Sequence, residues 1–233
     1  MHELAFPLLA GLIAIALLFD FLNGLHDAAN SIATVVSTRL IPPVWAVVFA
    51  AFGNFAAYWL VGLHVAETVG KGIIDKDAVT PAVVFGALIG AIFWNVVTWL
   101  KGIPSSSSHA LIGGLLGAGI AHGGFGVVES SGTTKTVIAI FLSPMLGFVL
   151  AMLMVLVTSW LFKGFQPRRA EGVFKTLHLF SSAAYSISHG GNDAQKTMGI
   201  ITVLLYSTGQ LKGEFHIPEW VVISCYAAIA LGT

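Results

Sequence analysis

Three stretches concentrate side chains able to bind ions in otherwise apolar surroundings. Asn23-Gly-Leu-His-Asp-Ala-Ala-Asn30 offers Asn23, His26, Asp27 and Asn30, while His189-Gly-Gly-Asn-Asp-Ala-Gln-Lys196 offers His189, Asn192, Asp193, Gln195 and Lys196. Between them, Pro104-Ser-Ser-Ser-Ser-His109 supplies the hydroxyls of Ser105, Ser106, Ser107 and Ser108 beside the His109 imidazole. A helix begun by Pro104 and the serines would present unpaired amides and about half a positive charge, which suits an oxyanion. Asp27 and Asp193 would repel such an anion at low dielectric, and a cation held between them removes the conflict. The chemistry implied is the coupled movement of an anion with a cation.

The chain around these residues has the composition of a membrane protein. Of 233 residues 56% are hydrophobic and 9% charged, against about 25% charged in soluble domains. The formal net charge is zero, which speaks against a nucleic-acid binder. One cysteine, Cys225, excludes a disulfide framework and a cysteine zinc cluster, and no structural metal is expected. A spanning helix needs about 20 apolar residues. Runs of that kind lie at 6–36, 43–63, 81–100, 137–162 and 177–206. The run 109–122 is short enough to be a thin span or one arm of a re-entrant hairpin, and 221–231 reads as a helix cut mid-span, so that the chain is expected to be the N-terminal portion of a longer protein. The basic stretch 163–176 is placed in the cytoplasm by the positive-inside bias. Counting five crossings back puts the N-terminus outside, with Lys71, Lys76 and Lys135 as the outer basic residues.

The two acidic motifs repeat Gly, Asp and Ala at a constant offset and are separated by an odd number of crossings. The halves then run in opposite directions, as in the inverted repeats of secondary transporters, whose interrupted helices meet near the midplane. Asp20, Asn23, Asp27, Asn30 and Thr34 follow one another at helical steps, as do Ser182, Tyr185, His189, Asn192 and Lys196. A charge at a helix centre costs about 2.5–3.5 kcal/mol on insertion scales, so each stripe must face a protein-lined or wet cavity. Gly24, Gly190 and Gly191 would let the helices unwind there. The expected fold is all-α: a polytopic membrane protein with inverted-repeat, interrupted helices. Its division is 1–162 as the first repeat, 163–176 as a cytoplasmic basic loop, and 177–233 as the start of the second repeat.

Asn23–Asn30, Pro104–His109, Ser188–Gln195 and Phe93-Trp-Asn-Val-Val-Thr-Trp99 together resemble the PiT family of inorganic phosphate transporters, from about Phe19 onward. The resemblance implies import of inorganic phosphate across the cell membrane by symport with Na+ or H+, or entry as a metal–phosphate complex, by a lipid-embedded homodimer. It assigns phosphate binding to Ser105–Ser108, His109, Asn30 and Gln195, and cation coupling to Asp27, Asn23, His26, Asn192 and Asp193, with Na+ at Asp27 and Asp193. His26 stands where one form of the motif has Asn, which keeps proton and metal–phosphate coupling open.

Other readings of the same residues exist. Asp193 and Lys196 form an i, i+3 pair that would neutralise itself. Asn54 and Asn95 suit hydrogen bonds between helices. An intramembrane hydrolase built on Ser108 and His109 lacks a Gly-x-Ser-x-Gly elbow. A cation channel would have no use for the serines, and a sulfate-type oxyanion carrier differs only by resemblance.

Overall fold

Backbone in hydrocarbon must satisfy its own hydrogen bonds, so long apolar segments fold as helices. The computed structural model describes residues 6–63, 66, 72–75, 78–211 and 215–233. Its α-helices, in order, are α1 (Phe6–Ser37), α2 (Pro43–Leu60), α3 (Pro81–Leu100), α4 (Ser107–Gly123), α5 (Ser130–Phe162), α6 (Pro167–Ser207) and α7 (Glu219–Gly232). Among the described residues the only β contact is an isolated bridge between Ile74 and Val128. The all-α expectation holds. Among the described residues four helices, α1, α2, α3 and α5, are long and apolar enough to cross a membrane.

Local chemistry sets most boundaries. Proline stands in the first turn of α2, α3 and α6, where its missing N–H costs nothing. Thr80 caps α3 by accepting from Val83 N at 3.3 Å, and Ser106 caps α4 by accepting from His109 N at 3.3 Å. Gly102, at φ 62°, turns the chain between α3 and α4, and Gly124, at φ 72°, closes α4. Because α6 already begins at Pro167, most of the basic stretch expected as a loop at 163–176 is helical. Lys71 and Lys76, counted above for orientation, lie outside the described residues.

The expected interruptions are not found. α1 runs unbroken through Gly24 and α6 through Gly190-Gly191. These glycines serve close approach instead. A Cβ on Gly24 would collide with the backbone carbonyl of Ile229 on α7. One on Gly190 would lie 2.5 Å from the Asn54 backbone on α2. The two contacts mirror each other. The long polar helices α1 and α6 rest through their motif glycines on α7 and α2 respectively. Asn54 Nδ2 then joins α2 to the C-cap of α7 by donating to Thr233 Oγ1 at 2.8 Å.

α1 and α6 are antiparallel. Asp20 of α1 meets Thr197 of α6, while Asp27 meets His189, so rising numbers on one oppose falling numbers on the other. α3 and α4 pair as a hairpin at close quarters, a Cβ on Gly114 lying 2.5 Å from the Ala87 carbonyl. Being paired, they contribute an even number of crossings whether they span or re-enter, and the opposed directions of α1 and α6 are unaffected. The buried core joins Phe19 of α1, Leu88 of α3, Leu111 of α4, Ile201 of α6 and Tyr226 of α7. α5 stands apart, with no buried residue along its 33.

Candidate functional site

The three polar stretches converge. The hairpin tip brings Ser107 and Ser108 against the middle of α1 and of α6. Buried Ser107 Oγ lies 2.6 Å from Asn23 Oδ1, to which it donates, and 3.3 Å from Asp27 Oδ2. Lys196 Nζ reaches across from α6 to Ser108 Oγ and also pairs with Asp193 Oδ1. About ten residues of α1 continue past Asp27 to Ser37, roughly 15 Å of helix. The tip thus docks within the length of α1, short of its end.

Two carboxylates and an imidazole form the centre. His189 Nε2 lies 3.2 Å from Asp193 Oδ2 and 3.7 Å from Asp27 Oδ2, within ion-pair range but out of hydrogen-bonding line. One ligand atom from each of Asp27, His189 and Asp193 falls within 4.8 Å of the others, near enough to share one ion. His189 Nδ1 is held 3.2 Å from Asn54 Oδ1 on α2, which fixes the ring. Both carboxylates are only 12% exposed at the side chain, with His189 near both and Lys196 paired with Asp193.

Of the residues expected from sequence, Asn23, Asp27, Ser107, Ser108 and Asp193 come together here. His26 Nδ1 sits 3.1 Å from Asp27 Oδ1, and Asn30 Nδ2 donates to the same oxygen at 3.3 Å, so both brace Asp27. The α1 stripe itself drifts: Asn30 and Thr34 are exposed, and the buried face continues through Ser31 and Val35. Asn192 is exposed and donates back to Ser188 O, away from the centre. Gln195 is fully buried, but its amide donates to Gly62 O at 2.7 Å and its carbonyl accepts from Ala66 N, on the segment after α2.

The serine run divides. Ser105 Oγ accepts from Trp94 Nε1 at 2.9 Å, and Ser105, Ser106 and His109 line a separate open cavity of about 370 Å³ with Trp94 and Gly90. The family resemblance assigns no role to Lys196 or His189, although both lie on the α6 stripe. Their partners Ser108 and Asp27 come from distant segments, which only the fold discloses.

Opposed helices that bring acid, base and hydroxyl groups to a hairpin tip inside an apolar bundle define a polytopic membrane transport protein. The chain belongs to the phosphate transporter family, whose pattern matches residues 23–233. This is a family of transporters, not of enzymes, and the hydrolase reading falls. The chain is 64% identical over 230 residues to a Rhizobium meliloti protein named "Probable low-affinity inorganic phosphate transporter", the match covering 99% of this chain and 69% of that one. A Bacillus subtilis protein of the same name is 41% identical, with 94% of this chain and 66% of the relative covered. The chain thus spans about two thirds of these curated relatives. A solved structure described as "The sodium-dependent phosphate transporter" shares the fold at a TM-score of 0.88 and 24% identity, covering 97% of this chain and 75% of that one.

Proposed function

We propose that this chain carries the ion-binding site of a protein that imports inorganic phosphate across the cell membrane by symport with Na+ or H+. The observation that carries the reading is the docking of Ser107 and Ser108 onto Asn23, Asp27 and the Asp193–Lys196 pair. Hydroxyl donors and a lysine suit a phosphate oxyanion, while the facing carboxylates suit a cation. Ser107, Ser108 and Lys196 hold phosphate in this reading, with Asp27, His189 and Asp193 holding the coupling cation. Asn23, His26 and Asn30 orient Asp27. The same trio, with its nitrogen ligand, also suits a divalent ion, the form in which phosphate would enter as a metal–phosphate complex. The relatives' printed names support phosphate as cargo.

Residues 1–162 form the first repeat and 177–233 the start of an inverted second one, with α3–α4 re-entering from one side. The N-terminus lies outside, the basic residues of 163–176 lie in the cytoplasm, and two copies associate in the lipid. The test is uptake of labelled phosphate into proteoliposomes by the full-length protein, with sodium, pH and divalent-metal gradients imposed one at a time. Accumulation driven by one of them is expected. Uptake that none of them drives would overturn the reading.

A further inference from the structure

Asp20 takes no part in the site described above, yet it is the most enclosed acid of the described residues. It lies about two turns before Asp27 on the same helix and is 0% exposed. Its Oδ1 accepts from Thr197 Oγ1 at 2.6 Å, and its Oδ2 has no hydrogen-bond partner. No cation pairs with it in the described structure. Lys196, one residue before Thr197, is committed to Asp193 and Ser108.

The titratable groups acting on Asp20 can be named element by element. From α6 they are Asp193 and Lys196, with the Thr197 hydroxyl; from α7, the Cys225 thiol. α3 carries no titratable side chain, and the one on α2, Tyr58, donates to Glu219 at 2.8 Å. The Thr197 hydroxyl and the Cys225 thiol are the neutral donors beside this carboxylate and no counter-charge touches it, surroundings in which an ion is costly to bury. A purely structural acceptor for Thr197 would need only an amide. An ionisable group kept beside a cation-coupled centre, with one oxygen left open, is equipped to take and give a proton.

We propose that Asp20 is the proton-carrying residue of the transport cycle, separate from the Asp27–His189–Asp193 centre. This rests on the reading of the chain as a cation-coupled phosphate carrier and names its coupling ion. Asp20 takes a proton from water on the side from which phosphate enters, crosses the cycle as a neutral carboxylic acid, and returns the proton to water on the other side. Only the O–H bond forms and breaks. The proton offsets one negative charge of the anion, so anion and proton move together.

The experiment uses the full-length protein in proteoliposomes, with labelled phosphate and an internal pH-sensitive dye read together. In the unaltered protein, acid-driven phosphate accumulation with proton entry is expected. Asp20→Asn loses acid-driven accumulation, and Asp20→Glu, which returns a carboxyl, restores it. Thr197→Val keeps the shape and the carboxyl but removes the donor to the charged form. The pH of half-maximal uptake then moves upward by about one unit, the worth of one hydrogen bond to a charged oxygen. The Thr197 variant decides the matter if Asp20→Asn fails to assemble. An Asp20→Asn protein with the original proton-to-phosphate ratio, or a Thr197→Val profile that does not move, overturns the proposal. Unaltered protein that accumulates phosphate on sodium alone, with no proton entry, overturns it and leaves phosphate transport standing. Unaltered protein that transports no phosphate refutes the underlying reading itself.

Discussion

Removing the Ser107 hydroxyl tests whether the hairpin tip belongs to the site. Ser107 Oγ is buried and has one proton to give, shared between Asn23 Oδ1 at 2.6 Å and Asp27 Oδ2 at 3.3 Å. Asn23 is itself 1% exposed, so water cannot readily replace the lost donor. Leaving a buried acceptor unsatisfied costs about 1–3 kcal/mol. If the docked tip is the arrangement that binds phosphate, that cost becomes a factor of about 5 to 150 in transport rate. Ser105→Ala is the comparison. Its hydroxyl serves only as acceptor for the exposed Trp94 Nε1 at 2.9 Å. With water able to substitute, its loss stays near about 0.5 kcal/mol, a factor of roughly two. The assay is the initial rate of labelled phosphate uptake by the full-length protein, normalised to the amount inserted in the vesicle. Ser107→Ala within twofold of the unaltered protein, or Ser105→Ala equal to it in effect, would refute the reasoning.

Three further outcomes follow from the same geometry. Gly190→Ala pushes a methyl to within 2.5 Å of the Asn54 backbone and should lower thermal stability in detergent by about 1–3 kcal/mol, whereas Gly113→Ala meets open space and should raise it by up to about 1 kcal/mol. Lys196→Met leaves the buried Asp193 without its lysine. Breaking a buried ion pair costs about 3–5 kcal/mol, so phosphate uptake should fall by a factor of about 100 or more, and retained uptake would remove Lys196 from the site. Thr80→Ala deletes the cap on α3 and should cost about 1 kcal/mol, read as a lowered melting temperature with transport preserved at low temperature.

The helices whose signals are local could be read from sequence. The run 81–100 matches α3 at both ends, because Thr80-Pro81 starts the helix and Lys101-Gly102 stops it. α5 begins at Ser130 instead of 137, since its first turns are polar and carry no apolar run. The motif glycines were legible as special positions, but their purpose was not. A helix break is a local event, while a clash with Ile229 or Asn54 depends on a segment far along the chain. The same limit explains Gln195 and Lys196, neighbours in one motif. One turns to Gly62 and the other to Ser108, and only the packing of α6 between α2 and the hairpin decides which faces the centre.

α5 shares almost nothing with the core, yet the architecture depends on it. Two like-built halves can face one another head to tail only if the chain between them traverses the membrane an odd number of times. α2 returns the first traverse of α1, the hairpin cancels itself, and α5 supplies the leg that turns the second motif over. Its length and apolar character are what that leg requires, and none of its side chains is buried in the bundle. Excising it whole would leave both motifs intact and pointing the same way, and the meeting of Asp27 with Asp193 would be lost without altering a single ligand.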